Sequence, residues 1–345
     1  THVKSSNLST VLEAVLRLSP ISRTEISYLT DLTSSTISNL VNELIYHDLV
    51  CESGSSASQG GRRRTLLTVN ENACWVSAIA LQRHMARGAL INLAGDTMWY
   101  CEEPVVSETE VVCEQLARRL LARATAQGRP VVGLGIGCTS DIDVDYSTMQ
   151  RMCIPISTEE WARAAALGEA WFGAGAKARS LAYISTDQPM AIGMVVERKP
   201  YRGAHGMAGC IPRLRGEFVL TEVQAAVNQG GGIADDVLRY IATPVAEMVA
   251  LTVAMYDPEL VVVGGKLAET CPHLPSILLE LGSLQGIARS GRVDIRSSHF
   301  QGNAALIGAA CLVLEEFLTD PLRLLADAKA LSDKSYVEGA DVSDF

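Results

Sequence analysis

ISRTEISYLTDLTSSTISNLVNELIYHDLV, residues 21–50, decides how the chain is read. Ser22 followed by Glu25 has the pattern of a capping box, in which the hydroxyl accepts an orphan amide and the carboxylate reaches back to the cap. Ile26 and Leu29 then face inward over a short helix. Thr30-Asp31-Leu32 forms a turn, and Asp tolerates the left-handed backbone of its corner better than most residues. Thr33 or Ser34 caps the next helix, where Ile37, Leu40, Val41, Leu44 and Ile45 make an apolar stripe at helical period. Upstream, Leu8, Val11, Leu12, Val15 and Leu16 give a preceding helix its own buried stripe. Three helices with a tight turn before the last outline a helix-turn-helix.

The face opposite the stripe carries Ser34, Ser35, Thr36, Ser38, Asn39 and Asn42. Small hydroxyls and amides near a helix N-terminus suit phosphates and base edges, and Asn pairs bidentately with adenine. The same face on a small helical bundle is equally a solvated one. The residues that follow separate the two readings. Leu49-Val50 and Leu66–Val69 predict two strands around a Ser/Gly-rich loop, a wing. Gly60-Gly61 brings Arg62, Arg63 and Arg64 onto that loop as cations that seek phosphates or the minor groove. Residues 1–70 are therefore expected to be a winged helix-turn-helix that binds a double-stranded DNA operator.

The 345 residues leave room for two or three domains. No apolar run approaches the ~20 residues that span a bilayer, and the first residues lack a signal-peptide pattern. The expectation is a cytoplasmic chain with no membrane partner. Cysteines 51, 74, 101, 113, 138, 153, 210, 271 and 311 are scattered singly, which argues against a disulfide framework and a zinc site. Within residues 1–70, Lys4, Arg17, Arg23 and Arg62 to Arg64 balance Glu13, Glu25, Asp31, Glu43, Asp48 and Glu52, so the net charge of −10 lies beyond them. An acidic body is poorly suited to non-specific nucleic-acid binding. DNA contact is thus confined to the N-terminal module, doubled by a homodimer or a dimer of dimers.

Beyond the wing the pattern is α/β. Strands are expected at 75–81, 86–92, 97–101, 131–137, 181–185, 191–197 and 260–263. Helices are expected at 108–127, 159–172, 233–256 and 304–318. Two successive strand–helix groups suggest two lobes with a cleft between them, over residues 71–320. Gly230-Gly231-Gly232 reads as a phosphate cradle or as a flexible loop. Residues 321–345 hold one more helix, at 321–331, and an acidic tail.

LGEAWFGAGAKARSLAYI (167–184), YRGAHGMAG (201–209), YDPELVVVGGKL (256–267) and the winged block with GGRRR resemble the ROK family of repressors and sugar kinases, from about residue 7 to 318. The resemblance implies an actin-like, hexokinase-like two-lobed body behind a winged helix-turn-helix. In such repressors a sugar, a sugar phosphate or a partner protein bound by the body changes operator affinity. The departures from the family pattern fall on its chemistry. The Asp-x-Gly-x-Thr phosphate loop falls on ALQRHMARGAL (80–90), and the second phosphate turn on STDQPMAIGM (185–194), where only Gly193 survives. The catalytic Asp of Asn-Asp-x-Asn falls on Trp161, with Glu160 and Arg163 in place of the two Asn. An indole cannot take the proton of a sugar hydroxyl, so no enzyme activity is expected. The sugar-binding Glu is Cys210, the His that contacts sugar and metal is Arg213, and the cysteine-rich zinc loop is missing. No metal and no cofactor are expected.

Each altered residue has two readings. Glu169 is a retained sugar contact or a helix cap. His205, between Gly203 and Gly206, is a loop-stabilising imidazole before it is a catalytic one. Trp161 stacks on a bound ring or fills the vacated cleft. Glu160, Arg163, Cys210 and Arg213 either hold an anionic ligand such as a phosphate or carboxylate, or close the cleft through salt bridges to Glu160. The expected function is a DNA-binding transcriptional regulator of carbohydrate-related genes, a repressor whose body is a pseudokinase that answers a sugar or sugar-phosphate effector. The alternative is a constitutive DNA binder whose body is a protein-interaction module.

Overall fold

The computed structural model describes residues 2–55, 64–140, 142, 149–187, 190–211, 235–281 and 293–337. Its N-terminal part consists of α1 (His2–Leu18), β1 (Ile21–Ser22), α2 (Arg23–Thr30), α3 (Ser34–Tyr46), β2 (Val50–Ser55) and β3 (Thr65–Val69). The short-range signals govern it. Ser22 and Glu25 close the capping box, with the Ser22 amide donating to Glu25 at 2.8 Å. Asp31 takes the left-handed conformation, at φ 55°, that ends α2. Thr33 caps α3 by accepting the Thr36 amide. Strand order β1-β3-β2 makes a small antiparallel sheet under the helices. Leu8, Val11, Leu12, Val15, Ile26, Ile37, Leu40, Val41, Leu44 and Leu67 are buried together. Leu29 is not among them. At 55 % exposure it lines an open groove with Leu18, Tyr28 and Arg64, because an eight-residue α2 turns only Ile26 into the core.

The body repeats one plan twice. The first lobe contains β4 (Trp75–Gln82), β5 (Met85–Asn92), β6 (Thr97–Pro104), α4 (Thr109–Ala126), β7 (Val131–Cys138) and β8 (Ile156–Glu160), in the sheet order β6-β5-β4-β7-β8. The chain then enters α5 (Trp161–Phe172). The second lobe contains β9 (Ser180–Ser185), β10 (Ala191–Val196), β11 (Lys199–Pro200), α6 (Asp235–Tyr256), β12 (Leu260–Gly264), α7 (Lys266–Thr270), α8 (Leu274–Glu280) and β13 (Asp294–Ser297), in the order β11-β10-β9-β12-β13. Then come α9 (Ala304–Phe317) and α10 (Pro321–Val337). In each lobe the central strand is antiparallel to the next strand in sequence and parallel to a later one, as β4 is to β5 and β7, and β9 to β10 and β12. The parallel strands β7 and β12 are covered on both faces, which is why VVGLGIG and LVVVG are unbroken apolar runs.

α5 and α9 lie between the two sheets. α5 packs on β9 and β10 of the second lobe, while α9 packs on β4, β7 and β8 of the first. They meet at backbone distance, because a Cβ on Gly308 would overlap the Ala164 carbonyl and one on Gly168 would press on Ala304 and Gly308.

Two expectations need correction. The helix expected from 159 begins at Trp161, because 156–160 join the first sheet and the Glu160 carboxylate caps Ala162 and Arg163. Leu238–Tyr256 of α6, with a mean hydropathy of 1.3, is long and apolar enough to cross a membrane. Its inner face of Ala242, Val245, Ala246, Val249 and Val253 packs with the second sheet, as in a core helix. Its outer face exposes Tyr240, Leu251, Met255 and Tyr256. Gly230 to Gly232 lie outside the described residues.

Candidate functional site

α3 is an amphipathic helix anchored by Ile37, Leu40, Val41 and Leu44. That anchoring leaves Ser34, Ser35, Asn39 and Asn42 exposed. Thr36 and Ser38 are half-buried, and their hydroxyls have local partners. Thr36 shares a hydrogen bond with Thr33, and Ser38 donates to the Ser34 carbonyl at 2.8 Å. The sequence reading missed Tyr46, 83 % exposed one turn beyond Asn42, and Tyr28 on α2. Continuing the spacing Asn39, Asn42, Tyr46 down the helix would have found the first. Lys4 of α1 donates to Glu43 of α3 at 2.9 Å, one turn along from Asn39. Arg64 is exposed at the foot of the wing, while Arg62 and Arg63 lie outside the described residues. Glu25 has its carboxyl lowered by the Ser22 hydroxyl and amide and, more weakly, by Arg64.

At the start of α5 the charges pair differently from the sequence expectation. The Glu160 carboxylate accepts the Ala162 and Arg163 amides at 2.9 and 3.2 Å, and burial pushes its pKa up against those two bonds. Arg163 instead donates Nε to Glu159 at 2.7 Å, Nη1 to the Ala208 carbonyl at 2.7 Å, and approaches Cys210 Sγ at 3.9 Å. Arg202 donates Nε to the other oxygen of Glu159 at 2.6 Å. Glu159 is thus a buried carboxylate held between two guanidinium groups. The Arg163 side chain is 6 % exposed, that of Arg202 56 %. Trp161 is buried in the core. Glu169 is fully buried at the other end of α5, where its carboxylate accepts Ser298 Oγ, the His299 amide and the Ala174 amide. His205 is exposed in its loop, and Arg213 lies outside the described residues. Among the described residues no three His, Cys, Asp or Glu side chains group as a metal site.

The segments in the place of the phosphate loops border an open polar cleft of about 420 Å³ between the lobes. Arg87 crosses it, with Nη1 donating to the Gly302 carbonyl at 3.0 Å and Nε to Glu102 at 3.1 Å. On the far wall the Asp187 carboxylate accepts the Lys266 amide at 2.9 Å. That backbone donor already has an anion, supplied by the chain itself.

A winged helix-turn-helix set on a body of two actin-like lobes defines a one-component transcriptional regulator, in which one chain carries both the DNA module and the sensory fold. Residues 92–212 and 216–316 match the ROK family model, and the chain belongs to the ROK family. It is 26 % identical to the xylose repressor of Caldicellulosiruptor bescii, an alignment covering 93 % of this chain and 98 % of that one. It is 19 % identical to the DNA-binding transcriptional dual regulator NagC of Escherichia coli, covering 77 % and 82 %. Among solved structures, a ROK family transcriptional regulator described as a homologue of the E. coli MLC protein superposes with a TM-score of 0.73 at 18 % identity, over 96 % of this chain and all of that one. The ROK hexokinase of Thermus thermophilus superposes with a TM-score of 0.58 at 21 % identity, over 70 % of this chain and 99 % of that one.

Proposed function

We propose that the chain is a repressor that binds operator DNA as a homodimer through α3 and the wing, that its body transfers no phosphoryl group, and that an anionic carbohydrate derivative bound by the body sets operator affinity. The observation that carries the DNA reading is the one-sided α3, its apolar stripe buried and Ser34, Ser35, Asn39, Asn42 and Tyr46 turned to solvent. Loss of catalysis is supported by Trp161 where the resemblance places the general base, and by Asp187 occupying the amide of Lys266. The anionic effector is supported by Arg202, which holds Glu159 through Nε while its side chain is 56 % exposed. A carboxylate or phosphate would meet it in the bidentate geometry that guanidinium favours.

A second reading is favoured by the exposed Leu251, Met255 and Tyr256 grouped at the end of α6, apolar surface suited to another protein chain. It predicts a captured partner and no response to sugars.

The test is a titration of selected double-stranded DNA against the purified chain, with and without a panel of sugars and sugar phosphates. Asn39→Ala should relax sequence preference at one base pair and weaken the selected site by about 1–3 kcal/mol. Unchanged preference would remove α3 from base readout. Mg-ATP should leave the thermal midpoint unmoved, and a shift would restore the kinase reading.

A further inference from the structure

Among the described residues, Arg17 brings a charge from the winged module against the body. Arg17, in the last turn of α1, places its guanidinium 4.0 Å from the ring centroid of Trp171. Trp171 lies at the end of α5, and Glu315 at the end of α9. Arg17 acts on both, stacking on the indole and drawing on the carboxylate of Glu315. Its side chain is only 12 % exposed and is braced by Glu13 at 2.8 Å. Nearby, Ser9 of α1 donates to the Thr319 carbonyl just past α9.

This contact sits where the lobes meet. α5 carries the chain from the first sheet into the second, and α9 carries it back. The two helices run antiparallel, Gly168 against Ala304 and Ala164 against Gly308. The Glu160 cap and the Glu159–Arg163–Arg202 cluster at the start of α5 therefore lie at the Glu315 end of α9, and the Gly302 loop held by Arg87, before α9, lies at the Trp171 end of α5. Because Gly168 and Gly308 lock the pair at backbone contact, a shift at one end is carried along both helices rather than absorbed between them.

We propose that Arg17 is the positioning residue of the DNA module: stacked on Trp171 of α5, with its charge acting on Glu315 of α9, it couples the winged helix to both lobe-crossing helices, so that lobe movement reorients α3. The proposal rests on the DNA-binding reading above.

Glu315 makes the contact testable by pH. Burial pushes its carboxyl up to about 7, against the opposing pull of the Trp171 indole, Arg17, Arg202 and Lys199. The charged and titratable groups around it are Arg17, with its partner Glu13, from α1, Lys199 and Arg202 from the β11 segment, and Cys311 on α9 itself. Above pH 7 Glu315 is ionised and attracts Arg17; as pH falls through 7 it takes up a proton and the attraction goes. The stability linkage runs the other way. A carboxyl raised above its ordinary 4.5 stabilises the fold when protonated, a contribution complete below about 4.5 and lost as pH rises through about 7. A purely structural role would move operator affinity and thermal midpoint in the same direction, whereas a positioning role moves them oppositely.

The experiment uses the full chain and DNA selected by the wild type from a random duplex library. The affinity of the wild type should fall about tenfold from pH 8 to pH 6 while its thermal midpoint rises. Glu315→Gln and Arg17→Ala should bind about tenfold more weakly at pH 8 and show no pH dependence, and Arg17→Lys should restore the profile in part. A flat wild-type profile, or Arg17→Ala retaining the wild-type profile, overturns the proposal. If the wild type selects no DNA, the functional reading fails, and amide exchange still decides the contact. Arg17→Ala must then open the last turns of α1, α5 and α9 together, and unchanged protection there overturns it.

Discussion

Replacing Arg163 by alanine is expected to destabilise the chain by about 3 kcal/mol, the scale of breaking one partner out of a buried ion pair. The Glu159 carboxylate is 3 % exposed and would keep, besides the Glu160 amide, only Arg202, whose side chain is 56 % exposed. The Ala208 carbonyl and Cys210 would lose their donor as well. Denaturant unfolding measures the loss. The double replacement Glu159→Met with Arg163→Met should recover much of it, since paired charges removed together leave no orphan. A small effect of Arg163→Ala would mean that water reaches Glu159 and that the pocket is open rather than filled.

Gly308→Val should cost about 3 kcal/mol or more and lower the thermal midpoint by roughly 5–10 °C. Any Cβ at this position overlaps the Ala164 carbonyl, and a backbone atom in the middle of α5 has nowhere to retreat. Gly302→Ala is the control. Its Cβ would meet the far ends of Glu269 and Arg87, side chains able to move aside, so the midpoint should scarcely change. Equal effects from the two substitutions would show that α5 and α9 are not locked. Separating the helices should also weaken DNA binding, because Trp171 and Glu315 reach Arg17 from different members of the pair.

What the sequence disclosed and what it withheld divide by range. Ser22, Asp31 and Thr33 were readable because caps and turns act within three or four residues. The two lobes followed from strand and helix alternation, and the family pattern pointed to Trp161 and Arg163. The partner of Arg163 was placed one residue too late. Glu159 is the penultimate residue of β8, four positions before Arg163, and its carboxylate meets that guanidinium at the strand–helix junction, whereas Glu160 falls at the cap and bonds the helix that follows. Arg202 reaches the same carboxylate from 43 positions away, and nothing local announces it. Leu29 was misplaced because period alone does not say how far a short helix sinks into its neighbours. Arg17, Trp171 and Glu315 lie on three separate helices and are brought together only by tertiary packing.

The most direct measurement of the central claim is selection of duplex DNA by the purified full chain, followed by titration of the enriched site across salt concentrations. A winged helix-turn-helix reading through α3 predicts one enriched sequence. It also predicts an observed affinity that falls with salt, with the slope reduced by about one when Arg64 becomes alanine. A library that emerges no different from its input, or binding indifferent to salt and to both Arg64 and Asn39, would contradict it.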